Sequence, residues 1–225
     1  MVEILEKYDV LAAFWMTIYL TFFAAIGSLV VGTVLAIMRV SPVGVLRWLG
    51  AFYVNTVRNT PLTLILLFCL LGVRYLLQLS LAPETSPTSV TDNAIRWAIV
   101  GLAVYHAAFV CEALRSGVNT VDLGQAEAAR SIGLTFRQTM REVIMPQAFR
   151  GAIAPLGSVL IALTKNTTVA SIIGVAEASG LMKTIIENET ASIAVFLVFA
   201  VGFVILTLPV GLLFTSMSRR LAVKR

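Results

Sequence analysis

Long runs without charge constrain this chain more than any other feature. Residues 10–38 and 190–218 carry no charged side chain. Each is long enough to cross the roughly 30 Å hydrocarbon layer of a bilayer as a helix. Three more stretches are nearly as apolar. Residues 59–79 qualify if Arg74 extends its head group to an interface. Residues 94–111 make a third span, and residues 151–176 a fourth, interrupted by Lys165. The moderately apolar segment 42–57 carries Arg47 and reads as an interfacial or connecting helix. The expected fold is therefore an all-α integral membrane protein with five transmembrane helices. With 58% hydrophobic and only 13% charged residues among 225, the chain cannot cover a soluble globule with polar surface, and it is too apolar to be disordered.

The net charge of +5 might suggest nucleic acid, but its distribution explains it better. Arg39, Arg47 and Arg58 flank the first loop. Arg115, Arg130, Arg137, Arg141 and Arg150 lie in or beside the third, and Arg219, Arg220, Lys224 and Arg225 end the chain. The alternate compartments hold only Lys7, then Arg74 and Arg96, then Lys183. The basic side is cytoplasmic by the positive-inside rule, so the N-terminus is outside and the C-terminus inside. No nucleic-acid partner is needed. The apolar run at 10–38 is too long for a signal-peptide core and follows an acidic segment, so cleavage is not expected.

Cys69 and Cys111 both fall in expected spans and read as packing residues. No metal-ligand spacing occurs, and the single His106 reads as a packed or hydrogen-bonded helix residue. Phe22, Phe23, Phe196, Phe199 and Phe203 read as lipid-facing or packing side chains. Gly27, Gly32, Gly202 and Gly211 read as sites of close helix approach.

The cytoplasmic loop 112–150 carries helix signals. Asp122 with Gln125 resembles a capping box, and the helix formers Ala126 to Arg130 follow. Gly133 suits a left-handed helix end. Thr135 with Gln138 repeats the start signal, and Pro146 is expected to close the next helix. Alone, these signals fit either a docking helix for another protein or a solvated hairpin joining two spans.

The run Gln125-Ala126-Glu127-Ala128-Ala129-Arg130-Ser131-Ile132-Gly133, followed by Ile144-Met145-Pro146-Gln147, resembles the EAA loop of bacterial ABC importer permeases. Three other blocks resemble the permeases for polar amino acids: YVNTVRNTPL from Tyr53, AAFVCEALRSG from Ala107 and LTKNTTVASIIGVAE from Leu163. Within that family the chain looks most like the glutamate permeases of high-GC Gram-positive bacteria. The resemblance implies one permease domain over 1–225, of the type I ABC importer (MetI-like) fold, in the bacterial cytoplasmic membrane. It implies a second permease subunit (a related chain or a copy of this one), two cytoplasmic ABC ATPase subunits and an extracytoplasmic amino-acid-binding protein. ATP and Mg would be bound by the ATPase partner, because this chain has no G-x-x-x-x-G-K-[ST] phosphate loop and no cofactor of its own. It would therefore be a transport subunit without its own ATPase site. Gln125, Ala126, Glu127, Ala128, Ala129, Arg130 and Gly133 would couple it to that ATPase.

An ionisable group inside a span is a candidate functional site. Lys165, with Asn166, Thr167 and Thr168, is the first such cluster, and Arg58, Asn59 and Thr60 before Pro61 the second. The competing reading for Lys165 is a structural pair with Glu112 or another buried acid; for Arg58 it is simple positive-inside anchoring. Glu112 and Arg115 are spaced to pair on one helix face. Many relatives carry an acid where this chain has Asn166, so Lys165 is less compensated here, which suits an anionic solute. The expected function is uptake of glutamate, aspartate or glutamine by alternating access. A permease for cationic amino acids and a non-transporting membrane assembly protein are the alternatives.

Overall fold

In the computed structural model, residues 7–189 and 192–221 are described. Asp9 starts the first helix by accepting from the Ala12 N–H at 2.9 Å. This helix, α1 (Val10–Val40), runs until Ser41-Pro42, where Pro removes the next backbone donor. Its buried seam is small: Ala13, Thr17, Ala24, Ser28 and Gly32 recur at helical spacing beside Leu20. The opposite face, with Trp15, Phe22, Val30 and Ile37, is left for lipid.

The small seam lets α1 approach α4 (Ser89–Asn119) closely. A Cβ on Gly27 would stand 2.9 Å from the Ala103 Cβ, and one on Gly32 would stand 2.6 Å from the Val110 Cβ. Both glycines therefore sit where backbones nearly touch, as expected. Gly202 is likewise filled by the Phe14 ring, whereas Gly211 faces only ordinary contact with Ile161. The Phe14 ring stacks on Phe199 and meets Phe203 edge-on, each at 5.6 Å, so these two phenylalanines pack while Phe22, Phe23 and Phe196 stay exposed.

The expected second span, 59–79, is only partly a helix. An amphipathic helix, α2 (Gly44–Arg58), precedes it, with Trp48 stacked on Phe52 along its exposed face. Tyr53 donates to the Val104 carbonyl at 2.8 Å, fastening α2 to α4. Asn59, Thr60 and Pro61 then form a break, and α3 (Leu62–Leu76) leaves at 102° to α2. Pro61 cannot continue the helix, and it biases Thr60 away from helical geometry. At about 1.5 Å per residue α3 is roughly 22 Å long, short of a full bilayer. Its second half, Phe68–Leu76, is π-helical. The Arg74 head group meets Glu84 at 3.4 Å.

Helix α4 outruns its expected limits of 94–111, so Glu112 and Arg115 lie on it rather than in the loop. The loop helix α5 (Leu123–Ser131) follows. Pro146 does not close a helix. A continuous element, α6 (Phe136–Ile173), passes through it. Its π-helical turn Thr139–Ile144 widens the backbone ahead of Pro146, so the proline sits in the first turn of the α-helical run Met145–Asn166. The expected fourth span, 151–176, tightens into a 3₁₀ stretch at Thr167–Ile173 and ends at Gly174, whose φ is +85°. Glu177 then caps α7 (Ala178–Asn188), accepting from the Ser179 and Gly180 N–H groups at 2.8 Å. The last helix, α8 (Ser192–Leu221), is mostly exposed. Residues 190–191 of its expected span, and Lys224 and Arg225, lie outside the described residues.

Among the described residues, four helices (α1, α4, α6 and α8) are long and apolar enough to cross a membrane, and the count is five where the bent pair α2–α3 is taken as one span. Two ion-pair sites mark the two ends of α1. Lys7 reaches Glu189 at 2.8 Å at the end assigned outside. At the other end of α1, about 46 Å away along a 31-residue helix, Arg39 reaches Glu112. Arg115 at 3.2 Å and Arg58 at 3.9 Å converge on the same carboxylate. The expected Glu112–Arg115 pair is thus one limb of a larger cluster joining α1, α2 and α4.

Two stability tests follow from this packing. Gly32→Val should force α1 from α4 and cost about 1–3 kcal/mol, as overpacking does; thermal unfolding in detergent reads it, and an unchanged midpoint would refute the close approach. Glu112→Gln should leave three arginines facing one another and cost about 1.5–3 kcal/mol. Adding Arg39→Met should recover part of that loss in a double-mutant cycle. Strict additivity of the two changes would show that they do not interact.

Candidate functional site

The two candidate solute clusters meet neighbouring side chains, one turn apart, on one stretch of α4. Arg58 ends α2 with its guanidinium 5.7 Å from the centre of the Phe109 ring. The Phe109 ring lies 6.1 Å from His106 and 5.0 Å from Tyr105. His106 in turn touches Asn166 of α6. Arg58 and Asn166 are therefore joined by a track of side chains on α4. The neighbouring Asn59 and Thr60 turn back on their own helix: Asn59 donates to the Asn55 carbonyl at 2.7 Å, and Thr60 to that of Thr56 at 2.8 Å. They close the end of α2, leaving Arg58 as the charged member of that cluster.

Lys165 is exposed and makes no ion pair among the described residues. Of the acids named in the structural alternative, Glu112 instead pairs with Arg39, Arg58 and Arg115. Asn166 is half-buried and oriented by His106. His106 Nδ1 lies 2.9 Å from the Leu102 carbonyl oxygen, which can only accept, so Nδ1 carries the proton. In the neutral ring Nε2 then accepts from Asn166 Nδ2 at 3.2 Å. That leaves Asn166 Oδ1 as an acceptor next in sequence to Lys165. Thr167 is wholly buried and donates to the Thr164 carbonyl, so it shapes the 3₁₀ turn rather than a solute surface. Thr168 is half-buried and donates to the Lys165 carbonyl at 2.8 Å, keeping only acceptor capacity.

Sequence reasoning placed His106 correctly as a hydrogen-bonded helix residue but did not connect it to Asn166, 60 positions away. Tyr105 and Phe109 carried no signal beyond being aromatic. Glu177, the last residue of the block that begins at Leu163, gave no sign in the sequence of its capping role. It is fully buried, and burial pushes its carboxyl above the ordinary range, opposed by the two backbone N–H groups it caps.

The loop helix presents a mixed surface. Asp122 caps α5 by accepting from the Gly124 N–H at 2.7 Å rather than by a reciprocal bond with Gln125. Gln125, Glu127, Ala128 and Arg130 are exposed, and Ala126 is half-exposed. Ala129 is 4% exposed and faces its own chain, so it is not part of an outward docking surface. Gly133 takes φ +85° and returns the chain to the membrane, while Gly133 and Leu134 donate to the Arg130 and Ala129 carbonyls. Thr135 and Gln138 form the expected capping box. Three large apolar side chains flank this helix in the open: Leu123 at 81%, Ile132 at 77% and Phe136 at 62% exposure. Sequence reading passed over them because their exposure depends on tertiary packing.

Comparison with known proteins agrees with this architecture. Residues 10–223 match the family described as binding-protein-dependent transport system inner membrane component. The chain is 58% identical over 218 residues, 96% of each chain, to the glutamate transport system permease protein GluC of Corynebacterium glutamicum. Its fold superposes on a crystal structure of an amino acid ABC transporter with histidines at TM-score 0.83, with 29% identity and 96% of each chain covered. An inward-facing MetNI methionine ABC transporter shares the fold at TM-score 0.74 and 21% identity, over 95% of this chain and 96% of that one. With the family matched over nearly its whole length, the chain belongs to the inner-membrane permease components of binding-protein-dependent ABC transport systems, which work with ATPase and substrate-binding partners.

Proposed function

We propose that this chain is the permease subunit of an ATP-driven importer for glutamate or a close relative such as aspartate or glutamine. The identity to a glutamate permease over 96% of the chain carries the solute class. The site chemistry agrees. Lys165 offers an uncompensated positive charge for a carboxylate, and Asn166 Oδ1 offers an acceptor for an ammonium group. Arg58, beside Phe109 of α4, is the second cation of the pathway. A cationic solute would find little to hold it, because the one carboxylate near Arg58 is already shared by three arginines.

In this proposal the permease pairs with a related chain or a second copy, and two ATPase subunits bind ATP and Mg in the cytoplasm. Helix α5 docks on an ATPase. Gln125, Glu127 and Arg130 make its polar contacts, Ala126 and Ala128 permit close approach, and Leu123, Ile132 and Phe136 supply apolar area. Closure of the ATPase pair draws the docked helices together and opens the permease outward. The turn at Gly133 transmits that pull because α6 begins three residues beyond it and runs unbroken to the Lys165 region.

Reconstituted transporter tests both parts. Lys165→Ala should lower uptake at least about tenfold, equivalent to ~1.4 kcal/mol, with assembly intact; wild-type uptake would remove Lys165 from the pathway. Gly133→Val places a β-branched residue in a left-handed conformation it resists. That variant, or Glu127→Lys, should hydrolyse ATP without transport or fail to bind the ATPase. Wild-type transport by both would refute the coupling role. Binding protein loaded with glutamate should stimulate ATPase activity more than the same protein offered lysine, and the reverse order would overturn the solute assignment.

A further inference from the structure

The half of the molecule assigned to the cytoplasm contains a cleft that the solute track does not use and that the coupling helix borders only at its mouth, through Asp122 and Gln125. It lies between α1, α6 and α8 and has a volume of about 670 Å³. Leu29, Ile153, Leu160, Phe214 and Met217 wall it, and the buried Val110 forms part of its floor. Its mouth is different in kind. Arg150 and Leu221 line both this cleft and an adjoining one of about 690 Å³, whose other walls include Asn119, Thr120, Gln147 and Ser218. An apolar shaft and a polar mouth thus meet at one exposed arginine.

The dimensions match one leaflet of a bilayer. From Arg150 to Leu163, α6 rises about 20 Å, against roughly 15 Å for half of the hydrocarbon layer. The charge matches too. Arg219 and Arg220 directly follow Ser218 at the mouth, on the side assigned to the cytoplasm. The one acid in the mouth, Asp122, is occupied as the cap of α5 through the Gly124 N–H. A protein helix apolar enough for the shaft would leave these arginines unmet. A phospholipid brings the acyl chain and the anion in one molecule, and basic pockets at the cytoplasmic ends of spans favour anionic head groups.

We propose that this cleft is a binding site for an anionic phospholipid of the cytoplasmic leaflet. One acyl chain fills the shaft between α1, α6 and α8, and the phosphate sits on Arg150. The lipid fastens the start of the α6 membrane run, just after the coupling loop, to the end of α8.

Native mass spectrometry of the assembled transporter, titrated with phosphatidylglycerol or phosphatidylcholine, tests this. Wild type should retain phosphatidylglycerol at least fivefold more than phosphatidylcholine. Arg150→Gln should abolish that preference while leaving weak binding of both lipids. Leu160→Trp, which fills the shaft, should lose both; if it does not assemble, Met217→Trp obstructs the shaft from α8 instead. Equal retention of the two lipids by wild type, or unchanged preference in Arg150→Gln, would overturn the proposal. So would photocross-linking of the companion permease subunit from p-benzoylphenylalanine placed at Met217, since a protein would then occupy the cleft.

Discussion

A single carboxylate organises the cytoplasmic end of this membrane protein. Topology places arginines there, and packing brings three of them together from α1, α2 and α4. Without an anion at that point the three arginines would repel one another across a partly exposed site. Glu112 removes the conflict and ties together the inner ends of α1 and α4 and the last residue of α2. The 102° turn into α3 starts from a cation held in this cluster. The close glycine contacts of α1 with α4 and the charged cluster at their inner ends specify the same arrangement.

That arrangement positions the solute track. Because α4 is anchored through Glu112 at one level, its Phe109, His106 and Tyr105 face the region between Arg58 and Asn166 at the next turns of the helix. His106 orients the Asn166 amide, and the tight 3₁₀ turn after it directs the Thr167 and Thr168 hydroxyls onto backbone carbonyls. Lys165 is left as the charge in this region without a partner among the described residues. A cationic group kept uncompensated beside a span is costly, so its retention is consistent with a ligand that supplies the anion.

The coupling loop joins the same network. Helix α5 is short and mostly exposed, and α6 continues from its glycine turn through Pro146 to the Lys165 region. Pro146 illustrates how tertiary geometry overrides a local rule. As an isolated signal it ends a helix, but the π-helical turn before it accommodates the ring, and the helix that joins coupling loop to solute track stays intact.

By itself the sequence located the long apolar helices, showed an uneven distribution of basic residues among the loops, and placed the helix-starting residues of the coupling loop. These follow from apolar length, charge asymmetry and local capping chemistry, all of which act over a few residues. It also revealed Lys165 as a charge inside a span and Glu112–Arg115 as a pair on one helix. Only the tertiary structure decided that Glu112 meets Arg39, 73 positions away, as well as Arg58. The same holds for His106 meeting Asn166, for Ala129 turning inward and for the exposure of Leu123, Ile132 and Phe136. Each of those outcomes depends on how helices cross. Helix crossing is set by the shapes of contacting faces, which no single stretch of sequence contains.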